Sequence, residues 1–325
     1  MITFSEVTKI YEDGTEAIKH LNFTIEKGEF FVLIGPSGCG KTTTMKMINR
    51  LIEPTSGSIQ IHQKEIHEYH LQELRWNIGY VLQQIALFPH MTIAENIALV
   101  PEMKKWKKDR IRTRIDELLK MVNLDPEVYR DRKPAELSGG EQQRVGVIRA
   151  LAGDPDVVLM DEPFSALDPI SREQLQQDIR RLQQEIKKTI VFVTHDMDEA
   201  IALADRICLM KKGEIVQIDR PKNLITNPKD DFVKEFIGDR QTPWMTKVEL
   251  VMNRDLFLMK QDVQQNPFPT VTHEESLSDA VEMMREKQVE ICLVTKENQV
   301  VGFLDYKGIV EYLQQKSRKE EDALK

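Results

Sequence analysis

Residues 30–43 read "FFVLIGPSGCGKTT": five apolar residues, three glycines within the next six positions, then one lysine and two threonines. Phe30–Ile34 is short, aromatic and β-branched, the composition of a strand buried on both faces as in a parallel sheet. The residues after it, Gly35, Pro36, Ser37, Gly38, Cys39, Gly40, Lys41 and Thr42, fit G-x-x-x-x-G-K-[ST], and Thr43 leads into the helical "TTTMKMINRL". Small residues let backbone N–H groups wrap a pyrophosphate, and the helix start adds the positive end of its dipole. In that pattern Lys41 reaches the β- and γ-phosphates and the Thr42 hydroxyl holds Mg²⁺. A strand that feeds a glycine loop and then a helix makes the fold class α/β.

Two more buried-strand patterns follow. In "DVVLMDEP" the run Val157–Met160 ends on Asp161 and Glu162, and in "TIVFVTH" the run Ile190–Val193 ends close to His195. Ligands of parallel α/β sheets bind outside the carboxyl ends of the strands. These residues are therefore expected at the crevice of the phosphate loop, with Asp161 as the Mg²⁺ partner and Glu162 as the general base that polarises the attacking water. His195, at the end of a third strand, is well placed to join them.

Between those strands lies "AELSGGEQQRVGVIRAL", residues 135–151. Ser138, Gly139 and Gly140 precede a helix whose apolar Val145, Ile148 and Leu151 recur at helical spacing. Small residues at a helix N-terminus can form a second anion site. An N-cap serine followed by two loop glycines is the equal alternative.

The whole chain of 325 residues is long enough for two domains. Its 45 basic residues against 53 acidic give a net charge of −8, which argues against nucleic acid as the main partner. No run approaches the roughly eighteen apolar residues of a membrane span, and "MITFSEVTKIYEDG" has no basic-then-apolar leader pattern. Cys39, Cys208 and Cys292 are far apart and lack metal-ligand spacing, which suits a reducing compartment. Cys39 reads as a loop residue and not as a nucleophile.

Taken in order, "GPSGCGKT", "LSGGEQ", "VVLMDEP", "SALD" and "TH" resemble the ATPase subunit of an ABC transporter across residues 1 to about 240. The resemblance implies a P-loop NTPase (RecA-like) domain with a helical subdomain inserted at about 86–154. It implies ATP and Mg²⁺ as cofactors, Tyr11 stacked on adenine, Gln83 of "YVLQQ" in contact with Mg²⁺ and the attacking water, and Asp168 facing the opposite subunit. In such proteins the signature, here "LSGGEQ", of one copy closes on the ATP of the other in a head-to-tail dimer. One copy of each motif therefore implies a homodimer. The stretch after Gln83, "LFPHMTIAENIAL", is where the family receives a coupling helix from an integral membrane permease; plain subdomain core is the alternative. The expected location is the cytoplasmic face of the cell membrane, peripherally bound, with a solute-binding protein as an indirect partner.

The run "KKWKKDRIRTR", residues 104–114, carries seven basic residues and one acid. It reads as a solvated helix face or as a contact for anionic lipid, where each basic residue near the surface gains about 1 kcal/mol.

After Gly238 the composition changes: 241–265 reads as a linker with one short helix, 266–315 as a small α+β lobe, and 316–325 as a charged tail. In the lobe, Leu277, Ala280, Val281 and Met284 make a helical apolar face with Ser276 as N-cap, and "EICLVT" and "VVGFLD" flank the hairpin signal "KENQ". This resembles one CBS motif, a module usually paired. The hydroxyl and aspartate with which nucleotide-binding CBS motifs hold a ribose are replaced by Asp305 and Gly308, which leaves the lobe as a dimerisation prop or as a sensor of something else. An ABC ATPase joined to a CBS region resembles the energising subunit of importers for glycine betaine, carnitine, choline and similar amines. Import of another small solute, such as an amino acid, and an ABC-type ATP switch without transport are the competing readings.

Overall fold

The strand expected at residues 30–34 forms as β3 (Phe30–Ile34), and its side chains alternate between two separate cores. Phe30, Val32 and Ile34 enter one core, and Phe31 and Leu33 the other. A strand with both faces covered has no polar face, which is why the run is apolar without a break. The computed structural model describes residues 1–165, 167–238, 246–254, 268–287, 289–297, 299–309 and 311–312, and the chain divides into two units, Met1–Gly238 and Asp239–Lys325.

In the first unit, β3 lies in a six-stranded sheet with β6 (Ile78–Val81), β7 (Val157–Asp161), β8 (Thr189–Val193), β9 (Arg206–Lys211) and β10 (Glu214–Asp219). The order is β10-β9-β3-β8-β7-β6, parallel from β9 to β6, with β10 an antiparallel edge. The three strands read from the sequence are thus neighbours, with β8 between β3 and β7. Their carboxyl ends share one rim.

A second, antiparallel sheet is built from β1 (Ile2–Ile10), β2 (Glu16–Ile25), β4 (Ser56–Ile61) and β5 (Lys64–Glu65). Stacked rings tie it to the first: Phe4 on Phe23 at 4.4 Å and Phe23 on Phe31 at 5.5 Å between centroids. Between the sheets lies α1 (Lys41–Ile48), whose Met45, Met47 and Ile48 are buried in this core. After α2 (Leu71–Trp76) the chain leaves β6 for a helical segment, α3 (Ile93–Met103), α4 (Lys108–Met121), α5 (Pro126–Tyr129) and α6 (Gly139–Ala152). These four contribute to the core on the opposite face of the sheet, as do α7 (Pro169–Ile186) and α8 (Met197–Leu203). The unit ends with α9 (Pro221–Thr226) and α10 (Asp231–Ile237).

The second unit is β11 (Thr270–Thr272), α11 (Leu277–Glu286), β12 (Ile291–Lys296) and β13 (Gln299–Asp305), with β12 parallel to β11 and antiparallel to β13. The hairpin forms where "KENQ" signalled it, and Ser276 Oγ accepts Asp279 N as the N-cap of α11. Leu277, Ala280 and Met284 are fully buried in the lobe's own core and Val281 packs at its margin. The short helix expected in the linker is a 3₁₀ turn at Val248–Leu250, and Val248 is itself part of that core, so this piece of the connector belongs to the lobe. Asp305 Oδ1 accepts Gly308 N at 2.7 Å, which uses the carboxylate as a local helix cap. The charged tail and residues 241–245 and 255–267 lie outside the described residues.

Candidate nucleotide site

The loop after β3 has a backbone that side chains would obstruct. Gly35 sits at φ 151° and Gly40 at φ 104°; a Cβ on Gly35 would lie 2.2 Å from Met210 O, and one on Gly40 2.8 Å from Ala17 O. Glycine is needed where φ is positive and another backbone comes this close. The buried Lys41 ammonium donates to Gly35 O at 2.8 Å and to Pro36 O at 3.1 Å, so its charge lies against the loop. Cys39 is buried beneath, its Sγ 4.0 Å from Lys41 Nζ, and burial pushes the thiol up, which keeps it from acting as a nucleophile.

Around the loop lies a cleft of about 530 Å³ lined by residues 37–43 together with Tyr11, Ala17, Gly213 and Glu162. Tyr11 closes one side, 39% exposed, with its hydroxyl 3.3 Å from Thr43 Oγ1. Ala17 and Gly213 had no signal in the sequence. They reach the loop because the antiparallel sheet and the β9–β10 hairpin meet there: Lys19 N donates to Gly213 O, and Gly213 N to Cys39 O.

At the other side, Thr42 Oγ1 donates to Asp161 Oδ1 at 2.9 Å. Burial, the largest effect on Asp161, raises its carboxyl above the ordinary aspartate value in spite of the Thr42 hydrogen bond. A desolvated carboxylate beside a hydroxyl is a hard-oxygen pair of the kind magnesium uses when phosphates and water complete its shell. Among the described residues no group of three or more His, Cys, Asp or Glu could hold a metal by itself. The donor set thus fits Mg²⁺ held jointly with a nucleotide.

Glu162 follows β7 at φ 44°, a left-handed conformation locked by Glu162 N donating to Val193 O at 2.9 Å. That bond joins the ends of β7 and β8 and turns the carboxylate into the rim. Its Oε2 is 3.1 Å from His195 Nδ1 and 3.4 Å from Gln83 Nε2. Three residues from three strand ends therefore converge on one oxygen.

Ser138, Gly139 and Gly140 do not line this cleft. Ser138 is the N-cap of α6 in a reciprocal capping box with Glu141, and the two glycines form the first turn of the helix instead of a loop before it. Gly140 packs closely on α7, where a Cβ would lie 2.8 Å from Ser171 Oγ. Asp168 Oδ1 accepts Ser171 N at 3.1 Å and so starts α7 beside the signature.

A residue missed in the sequence is the fully buried Asn96. Its side chain accepts Phe88 N at 2.8 Å and donates to Phe88 O, Met91 O and Thr92 O, which pins the segment after Gln83. Phe88 remains 51% exposed on that segment, and Leu82, just before Gln83, is 38% exposed. A lone polar residue on the apolar side of "TIAENIAL" was the available signal.

The ABC transporter family profile matches residues 18–165, and the CBS domain profile residues 252–315. The chain is 51% identical to the glycine betaine/carnitine/choline transport ATP-binding protein OpuCA of Bacillus subtilis, over 98% of this chain and 81% of that one. It belongs to the ABC transporter ATP-binding subunits. Identity is 52% to the carnitine transport ATP-binding protein OpuCA of Listeria monocytogenes, over 95% of this chain and 76% of that one. Among solved structures, the dimeric post-hydrolysis state of the ATP-binding cassette MJ0796 bound to ADP and Pi is 37% identical, with a TM-score of 0.61, covering 68% of this chain and 99% of that one. No helix among the described residues is long and apolar enough to cross a membrane.

Proposed function

We propose that this chain is the ATP-hydrolysing subunit that drives import of a quaternary-amine osmoprotectant through a membrane permease. The observation that carries the hydrolytic part is the convergence of Gln83, Glu162 and His195 on Glu162 Oε2 at the rim of the phosphate loop. Glu162 accepts the proton of the attacking water, while His195 and Gln83 fix the accepting oxygen. Lys41 and the loop N–H groups of 37–43 hold the phosphates, and Tyr11 supports the adenine. Thr42, Asp161 and Gln83 would hold Mg²⁺, which when bound neutralises phosphate charge.

Two copies complete two sites. Ser138, Gly139, Gly140 and Asp168 serve the partner subunit's nucleotide, consistent with their place outside the cleft of their own chain. The subunit lies peripherally on the cytoplasmic face of the membrane, and the segment pinned by Asn96, with Phe88 exposed, receives the permease. A solute-binding protein delivers the amine and contacts this chain only through the complex. The amine assignment rests on the names of the relatives together with the attached CBS lobe.

The test of import is uptake by the reconstituted complex, with glycine betaine, carnitine and choline as solutes and an amino acid as control. Uptake of the amino acid alone would overturn the amine assignment. The composite site is tested by mixing Lys41→Ala and Gly140→Asp chains. Each homodimer lacks both sites, whereas the heterodimer retains one intact site, so hydrolysis should return on mixing; no recovery would count against the head-to-tail arrangement.

A further inference from the structure

We propose that Tyr129 is a positioning residue for the signature: its phenol holds the Glu141 carboxylate at the start of α6 and thereby sets the Ser138 hydroxyl that reads the partner subunit's γ-phosphate. The inference rests on the head-to-tail reading given above and adds a residue that no motif contains.

One carboxylate carries the arrangement. Glu141 Oε2 accepts Ser138 N at 2.7 Å and Ser138 Oγ at 2.8 Å, while Tyr129 donates its phenol to Oε1 at 2.5 Å. Together these bonds hold the Glu141 carboxyl below the usual glutamate range, the phenol being the largest cause. An ionised carboxylate beside an incoming γ-phosphate is a repulsive pair unless it is kept aside and its charge is shared. Tyr129 does both, because its hydroxyl draws Oε1 toward α5 and the Arg132 guanidinium lies 4.8 Å from its ring centroid. Closure of the dimer then requires only that the Ser138 hydroxyl exchange a carboxylate oxygen for a phosphate oxygen, with the backbone of α6 unmoved.

The start of α3 provides an internal comparison. It has the same capping box, Thr92 N to Glu95 Oε2 at 2.7 Å and Glu95 N to Thr92 Oγ1 at 3.1 Å. Among the described residues neither a phenol nor the Thr92 hydroxyl donates to that carboxylate. A helix cap therefore does not need the Tyr129 contact, and the contact occurs at the helix start that meets a phosphate. Tyr129 is also fixed in place: Arg130 O and Arg132 O, in the turn that follows it, accept Ala94 N and Ile93 N at the start of α3. The ring thus hangs from the helix that Asn96 ties to the permease-facing segment, and a shift there is passed to the signature.

The experiment measures MgATP-driven dimerisation of the full chain by sedimentation, in a Glu162→Gln background so that the closed dimer accumulates, alongside binding of a fluorescent ATP analogue to the monomer. Tyr129→Phe keeps the ring and removes the donor. It should weaken dimerisation by roughly 10- to 150-fold, the range of a hydrogen bond to a charged group, and leave monomer binding unchanged. With Glu141→Gln also present there is no carboxylate charge to hold, and Tyr129→Phe should then cost less than about twofold. Equal costs in the two backgrounds, or no cost in the first, would overturn the positioning role. A Ser138→Ala chain that dimerises as tightly as its parent would instead remove the head-to-tail reading itself.

Discussion

Glu162 Oε2 lies 3.1 Å from His195 Nδ1, across the ends of two adjacent parallel strands. The pair predicts a division of labour. Glu162→Gln should bind MgATP as the parent does and lose hydrolysis by about 10²- to 10⁴-fold, the usual worth of a general base, because an amide cannot take a proton. His195→Ala leaves the carboxylate but frees its orientation, so its loss should be smaller. Single-turnover hydrolysis with separately measured ATP affinity checks both; full turnover in Glu162→Gln would remove the residue from its role.

Gly35→Ala tests the backbone of the loop. The new Cβ would lie 2.2 Å from Met210 O at a φ of 151°, and neither backbone can move without displacing the loop or β9. Strain of this kind costs about 1–3 kcal/mol. The variant should lose most of its ATP affinity while the far-ultraviolet circular dichroism remains that of the parent; unaltered affinity would show that the loop can relax.

Glu199 gives a pH prediction. Its carboxyl is buried and accepts the Thr194 hydroxyl, and burial, the largest effect, raises it above the ordinary glutamate value. With the folded value above the unfolded one, the folded chain binds the extra proton in the window between them, so this group's contribution to stability falls as pH rises through the window and stays low at neutral pH. Glu199→Gln keeps an acceptor for Thr194 without the charge. Its Tm should exceed the parent's at pH 7 to 8 by roughly 2–4 °C for each kcal/mol relieved, and the difference should shrink as pH falls toward 4 to 5. A difference independent of pH would contradict this account.

The lobe has its own core, so damage to it should stay local. Leu277→Ala removes a fully buried side chain from β11–β13 and α11, at a cost of about 2–5 kcal/mol. Hydrogen exchange should rise across Leu277–Glu286 and the strands beside it, with the protection of Phe30–Ile34 and the ATP affinity unchanged. Coupled loss in both units would mean that they unfold together.

How much of this was legible beforehand divides along a physical line. Sequence alone determined the features that depend on short range: the glycine loop at Gly35–Thr42, the doubly buried strands around Phe30, Val157 and Ile190, the Ser276 cap, and the hairpin after Cys292. Each follows from backbone conformation or burial period within a few residues. That Asp161 faces the crevice of the phosphate loop was also expected, because parallel strands must place their carboxyl ends on one rim; its hydrogen bond with Thr42, 119 residues away, came from the structure. Tertiary structure decided the rest. Ala17 and Gly213 wall the cleft, Asn96 pins the segment after Gln83, and Tyr129 holds Glu141, through contacts set by how separate sheets and helices pack. No local pattern encodes such contacts, since a tyrosine in a four-residue helix has the same propensity whether its hydroxyl meets water or a carboxylate.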